Sequence, residues 1–149
     1  MKINETFSIN APIEKVWDFI LDPKCVGTCI PGCEEIEQTS ENEYLTVIKA
    51  KVGFLSVRFK VNSVIVETIL HSMIRTIGSG EEVKKKGHFK QTTIVSFTKP
   101  SENTTEITYE SDVNIVGRLA IFGDMVMRAK AKSLGKEFAD LIKKNLEVN

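Results

Sequence analysis

Hydrophobic and polar residues alternate along most of the chain, and a period of two predicts β-strands. The clearest strand presents on one face Ile107, Tyr109, Ser111, Val113 and Ile115. Residues 2–9 alternate in the same way, and further strands are predicted between residues 34 and 115. Short connections, such as the turn-forming residues 100–104, indicate that these strands form an antiparallel meander.

Helical spacing replaces the alternation in two regions. After the first strand, Pro12 starts a short helix that Pro23 ends, and residues 24–30 are predicted to form a second short helix. A long helix is predicted over residues 118–146, with two lines of apolar positions. One line contains Leu119, Phe122, Val126 and Ala129, and the other contains Met127, Ala131, Leu134, Phe138, Leu141 and Asn145. Two lines are expected of a helix that lies across a concave sheet.

The order of these elements predicts an α+β fold. We expect a curved antiparallel sheet of about six to seven strands wrapped around the long C-terminal helix, with two short helices after the first strand. A single domain over residues 1–149 is predicted, since this length can enclose one core. The space between a strongly bent sheet and one helix can hold a cavity, so the pattern indicates a container without identifying its contents.

Charge and hydropathy restrict the partners. Lys and Arg together number 20, as do Asp and Glu, so no overall field favours nucleic acid, and none is expected as a partner. The chain shows neither a leader-like start nor an apolar run of the ~20 residues that a membrane span needs. We therefore expect a cytoplasmic protein with at most peripheral contact at the inner face of a membrane.

The three cysteines are predicted to be structural. A structural zinc site needs four ligands, whereas Cys25, Cys29 and Cys33 are the only cysteines and the two histidines are distant in sequence. We expect no metal. Cys29 and Cys33, with the Pro31-Gly32 pair between them, are predicted to form a tight turn at one end of the core.

Two glycines near the long helix are also assigned structural roles. Gly117 is predicted to let the chain turn from strand into helix, and Gly123, within the helix, to allow close approach to the sheet or the cavity mouth. No catalytic group is predicted, because His71 and His88, the side chains that titrate near neutral pH, have no obvious partner in sequence.

Several segments in order along the chain carry a family resemblance: residues 11–23 (APIEKVWDFILDP), 29–37 (CIPGCEEIE), 49–60 (KAKVGFLSVRFK), 78–80 (GSG), 107–113 (ITYESDV) and 116–123 (VGRLAIFG). With these segments the chain resembles the carbon monoxide dehydrogenase CoxG family of the START-like (SRPBCC) helix-grip superfamily. The resemblance implies a non-catalytic accessory protein of a molybdenum-dependent carbon monoxide dehydrogenase-type oxidoreductase. It also implies a hydrophobic ligand, lipid- or quinone-like, and no covalently bound cofactor.

The resemblance and the strand phases together suggest which residues contact the ligand. From the sheet these are Phe59, Thr76, Val95, Phe97, Tyr109, Ser111 and Val113, and from the helix Phe122, Met125, Val126 and Ala129. Two alternatives remain open at this stage. The same side chains could fill the core of a protein–protein adaptor, or Tyr109 or His88 could act in acid–base catalysis in a cyclase- or hydrolase-type enzyme. The family also includes longer members, and because this chain ends shortly after Leu146 we expect no membrane anchor of its own.

Overall fold

The computed structural model describes residues 1–84 and 86–147. One antiparallel sheet contains β1 (Lys2–Ile9), β2 (Cys33–Ser40), β3 (Glu43–Val52), β4 (Leu55–Ile69), β5 (Met73–Glu82), β6 (Gly87–Ser101) and β7 (Thr104–Gly117). The spatial order is β1-β7-β6-β5-β4-β3-β2, so every pair except β1–β7 is also consecutive in sequence. This is the predicted meander, with β1 and β2 at the edges of an open sheet.

The helices lie in the two regions where helical spacing predicts them. Helix α1 (Ile13–Leu21), helix α2 (Pro23–Val26) and the 3₁₀ turn Gly27–Cys29 separate β1 from β2. Asp22 stands between α1 and α2, where its carboxylate accepts the Lys24 backbone N–H at 2.9 Å. After β7 come the 3₁₀ turn Arg118–Phe122 and helix α3 (Gly123–Leu146). The predicted fold class is confirmed.

Helix α3 begins five residues later than predicted. Gly123, with φ 77° and ψ 169°, lies outside the helical region, so the helical phase of residues 118–122 does not continue into α3. Val126 and Ala129, placed in line with Leu119 by a continuous phase, are exposed. The prediction that Gly123 permits a close approach is wrong, because a Cβ atom added there would meet nothing within 4 Å.

Two separate core clusters hold α3. The Trp17 cluster is formed by Ile9, Ala11, Ile13, Val16, Trp17, Cys29, Ile74, Phe97, Ile107, Ile142 and Leu146. The Leu119 cluster is formed by Val52, Val57, Phe59, Val61 and Leu119. The end of α3 contributes Ile142 and Leu146 to the first cluster, and Met127, near its start, packs against the second. The buried residues of α3 are confined to positions 139–146. The middle of the helix is therefore not seated on the sheet.

A buried ion pair fixes the segment that precedes α3. The carboxylate of Glu82, at the end of β5, is 2% exposed and accepts a hydrogen bond from the guanidinium group of Arg118. Gly117 comes immediately before Arg118, with φ 115°, and a Cβ atom there would collide with Gly87 and the Lys86 carbonyl. The chain thus leaves β7 through a close backbone contact and is held by a charge pair that water hardly reaches. No described helix is both long and apolar enough to span a membrane.

The cysteine-containing turn packs against β3. The carbonyl group of Gly32 accepts the Lys49 N–H at 2.9 Å, and a Cβ atom at Gly32 would collide with the Lys49 carbonyl oxygen. Cys29 is fully buried in the Trp17 cluster, and Cys33 is half-buried at the start of β2. The described residues contain no group of three or more histidine, cysteine or acidic side chains that could hold a metal.

Replacing Gly32 with alanine tests how closely this turn is packed. Gly32 and Gly123 share a positive φ, 76° and 77°, but only Gly32 has backbone against its Cα. Gly32→Ala is expected to lower the free energy of unfolding by about 2 kcal/mol more than Gly123→Ala, because it adds a backbone collision to the strain that the two share. Urea unfolding followed by the fluorescence of Trp17, which is 5% exposed, measures both variants. Equal losses would contradict tight packing of the turn.

Candidate functional site

A cavity of about 600 Å³ lies between the concave face of the sheet and α3, and it is partly open to solvent. Its size falls within the ~300–1,000 Å³ typical of small-molecule sites. Inward side chains of all seven strands contribute to its walls, and most of them are apolar. The inner face predicted for β7 is present in full, since the cavity is lined by Ile107, Tyr109, Ser111, Val113 and Ile115.

Six of the seven ligand-contact residues predicted in the sheet line this cavity: Phe59, Thr76, Val95, Tyr109, Ser111 and Val113. Their contact with a ligand stays a prediction. The seventh, Phe97, lies two residues from Val95 on the same face of β6, but it is buried in the Trp17 cluster. Its ring centroid is 5.1 Å from that of Trp17. Strand phase predicts the correct face for Phe97 but not how far along the strand the cavity extends.

The helical contact residues were predicted on the wrong face. Phe122 packs against the ring of Phe54 at 5.7 Å, Met125 is 85% exposed, and Val126 and Ala129 are exposed. The residues of α3 that line the cavity are Met127, Lys130, Ala131, Leu134, Gly135 and Phe138. Four of these belong to the second apolar line seen in the sequence, so a signal was present. The break at Gly123 is what removes the first line from the cavity.

The floor of the cavity carries short polar side chains. Ser111, Thr93 and Thr76 are directly opposite one another on β7, β6 and β5, and the Thr93 and Ser111 hydroxyls share a hydrogen bond of 2.7 Å. The next row places Gln91 of β6 and Ser63 of β4 on either side of Gly78. We refer to Ser63, Thr76, Gln91, Thr93 and Ser111 as the polar floor. These groups can donate hydrogen bonds to a ligand in an otherwise apolar site.

Two inward glycines of β5 let neighbouring side chains cross the sheet. Gly78 and Gly80 are both buried. A Cβ atom at Gly80 would collide with the ring of Phe89, and one at Gly78 would come within 3.0 Å of the Gln91 Cγ. Both side chains come from β6 and lie over β5 because β5 has no side chains there. The sequence analysis found no role for this Gly-Ser-Gly segment beyond its family resemblance.

Tyr109 extends from the sheet to the underside of α3. Its hydroxyl lies where a side chain on Gly135 would be, so a Cβ atom at that position would collide with it. Burial raises the pKa of Tyr109, and the nearby Glu5 carboxylate on β1 raises this pKa further. The phenol therefore stays protonated at neutral pH and can act as a hydrogen-bond donor. A glycine within a helix costs about 1 kcal/mol relative to alanine, so its presence there could have indicated a packing constraint.

Few groups at the cavity could perform acid–base chemistry. Among the described residues, its lining contains no histidine, cysteine, arginine or acidic side chain, and the ionisable side chains are Tyr44, Tyr109 and Lys130. His88, considered as a proton-transfer group, is exposed and alternates with the inward Phe89 on β6. The thiol of Cys29 accepts the Asn145 amide at 3.6 Å and contributes to the core, not to the cavity.

A curved antiparallel sheet that encloses an apolar cavity against one long helix defines the class of START-like, helix-grip proteins. The family can be stated as well. The family model for CoxG, a protein of the carbon monoxide dehydrogenase system, matches residues 6–147, so the chain belongs to the CoxG family. No curated protein sequence matches the chain significantly.

Solved structures share the fold. A conserved protein from Geobacillus kaustophilus matches with a TM-score of 0.92 and 20% identity over 99% of this chain and 95% of that one. A START superfamily protein from Mycobacterium smegmatis matches with a TM-score of 0.78 and 14% identity over 98% and 97%. The ZhuI aromatase/cyclase from Streptomyces sp. R1128 matches with a TM-score of 0.74 and 11% identity over 99% and 93%. At these identities the likeness concerns the fold alone.

The contact between Tyr109 and Gly135 can be tested with a double-mutant cycle. Gly135→Ala is expected to lower the free energy of unfolding by about 1 kcal/mol, because the collision with the hydroxyl outweighs the higher helix propensity of alanine. In a Tyr109→Phe background the same change is expected to be neutral or to stabilise by up to about 1 kcal/mol. Urea denaturation of the four proteins gives the coupling energy. An equal loss in both backgrounds would show that the hydroxyl does not lie against Gly135.

Proposed function

We propose that this protein is a non-catalytic carrier that holds a hydrophobic small molecule, lipid- or quinone-like, between its sheet and α3. The observation that supports the proposal is the apolar cavity of about 600 Å³, partly open to solvent, beneath a helix that is buried only near its end. An adaptor with a filled core would leave no such space. The ligand is bound reversibly, because a carrier must also release it.

The chemistry of the lining supports carriage over catalysis. A cyclase or hydrolase on this fold would need a base, or an acid–base pair, facing the substrate. The ionisable side chains at the cavity are two tyrosines and one lysine, and burial raises the pKa of Tyr109 away from neutrality. The polar floor can donate hydrogen bonds to carbonyl oxygens such as those of a quinone. These groups orient a ligand without transforming it.

We also propose that the carrier serves a molybdenum-dependent oxidoreductase of the carbon monoxide dehydrogenase type. Family membership supports this association. A cluster of exposed apolar side chains offers a surface for it: Phe54, Ile121 and Met125 are 81%, 73% and 85% exposed, and Phe54 contacts Phe122 between them. We refer to Phe54, Ile121 and Met125 as the Phe54 patch. Exposed apolar groups in one place are typical of a protein or membrane contact.

Filling the cavity should abolish carriage without unfolding the protein. Ala131 lines the cavity and Ala129, two residues earlier on α3, is exposed outside it. Ala131→Trp is expected to weaken binding of a short-chain quinone analogue by about tenfold or more, whereas Ala129→Trp should leave it unchanged. Isothermal titration measures affinity, and thermal unfolding checks that each variant is folded.

Mass spectrometry of organic extracts provides a second measurement on the same proteins. A hydrophobic molecule should accompany the wild-type and Ala129→Trp proteins purified from their native host and should be absent from Ala131→Trp. If all three proteins bind neither the quinone analogue nor any extractable molecule, the carrier function is wrong. If all three bind equally, the ligand lies elsewhere on the protein.

The Phe54 patch is tested by making it polar. Phe54→Ser combined with Ile121→Ser is expected to weaken binding to the purified carbon monoxide dehydrogenase-type enzyme of the same host by about tenfold. Leu70→Ser is the matched control, since Leu70 is 70% exposed in the turn beyond the opposite end of β4. Biolayer interferometry measures the affinities. Unchanged enzyme binding with lost sedimentation on phosphatidylglycerol vesicles would assign the patch to a membrane surface instead.

A further inference from the structure

Lys130 occupies an unusual position in the cavity wall. Along the face of α3 that meets the cavity, Met127 precedes it by one turn, and Leu134 follows it by one turn. Its side chain is half-buried among these apolar neighbours. Lysine is rarely found in such surroundings without a partner, because its ammonium group loses water there. A purely packing role would be better served by leucine or methionine.

No carboxylate of this chain neutralises Lys130 in the part of the chain that the structure describes. Its ammonium group forms none of the ion pairs there, and no acidic side chain lines the cavity. Glu5 lies on the inner side of β1, opposite Tyr109, but outside the lining. Asp112 lies 3.8 Å from the amino group of Met1. The positive charge therefore remains available to a bound molecule.

Filling the cavity changes the cost of this charge. In the empty cavity, water can solvate the ammonium group, but an apolar ligand would displace that water. A ligand with an anionic head would replace the lost water by a charge-assisted hydrogen bond, of about 1.5–3 kcal/mol. One ammonium group matches one negative charge, which fits a carboxylate better than a phosphate monoester carrying about −1.5 to −2. The hydroxyl groups of the polar floor are neutral and cannot balance a second negative charge.

We propose that the cavity selects a monocarboxylic amphiphile, with its carboxylate paired to Lys130 and its hydrocarbon part against the apolar walls. The proposal rests on the carrier function and names its class of ligand. It requires that a neutral molecule of the same shape binds less tightly, and that the difference depends on the charge at position 130.

A fluorescent acid and its ester test this preference in the full-length, delipidated protein. The probes are 11-(dansylamino)undecanoic acid and its methyl ester, which differ only in the charge of the head group. The wild-type protein is expected to bind the acid about tenfold or more tightly than the ester, as one charge-assisted hydrogen bond implies. Lys130→Met should remove this preference by weakening acid binding while leaving ester binding unchanged.

Matched variants separate the position of the charge from its presence. Lys132→Met removes a lysine from the exposed face of the same helix and should keep the full preference for the acid. Lys130→Arg keeps the charge and should also retain it. Lys130→Gln replaces the methionine variant if that protein does not fold. Displacement of the dansyl acid by dodecanoic acid should exceed displacement by dodecyl phosphate.

The outcomes distinguish this inference from the carrier function. Equal binding of acid and ester by the wild-type protein, or an equal loss in Lys130→Met and Lys132→Met, would overturn the role of Lys130 while the cavity still holds a hydrophobic ligand. Stronger displacement by dodecyl phosphate would overturn the preference for a carboxylate. Failure of both probes, with no difference between the wild-type and Ala131→Trp proteins, would overturn the carrier function as well.

Discussion

The attachment of α3 at its two ends is the constraint on which the site depends. At one end, Leu119 is buried in its cluster and the Arg118–Glu82 ion pair holds the preceding turn to the end of β5. At the other end, Ile142 and Leu146 are buried in the Trp17 cluster. Each such apolar side chain contributes about 1.5–3 kcal/mol. The helix can therefore span a cavity, because packing on either side of the cavity keeps it from settling onto the sheet.

The sheet maintains the cavity by using small residues where large ones would fill it. Gly78 and Gly80 remove two side chains from the centre of β5, and Phe89 and Gln91 of the next strand extend into that space. The hydroxyl groups of the polar floor then provide direction in a site that is otherwise held together by apolar contact. Size and polarity are set by the same substitution of short side chains for long ones, so the volume and the chemistry of the site are linked.

Fold alone does not decide between carrier and enzyme, since an aromatase/cyclase is among the structures that share it. The distinction lies in what faces the cavity. Hydroxyls, an amide and one ammonium group can hold a polar end of a ligand, but they offer no pair of groups poised to exchange protons near neutral pH. This composition favours binding and release, and a single charge in the wall gives the binding a preferred orientation.

The order of the elements and the faces of the strands followed from local sequence alone. The alternation of β7 placed all five of its inward residues at the cavity, because neighbouring side chains of a strand point to opposite faces whatever the strand packs against. Features that are not local depended on packing and backbone geometry. The positive φ of Gly123 interrupts the helical phase and turns Val126 and Ala129 away from the site. Phe97 shares the face of Val95 but falls within a packed cluster. Periodicity reports the direction of a side chain and not the distance to the surface opposite, so whether the interior is filled or empty depends on how far α3 is held from the sheet.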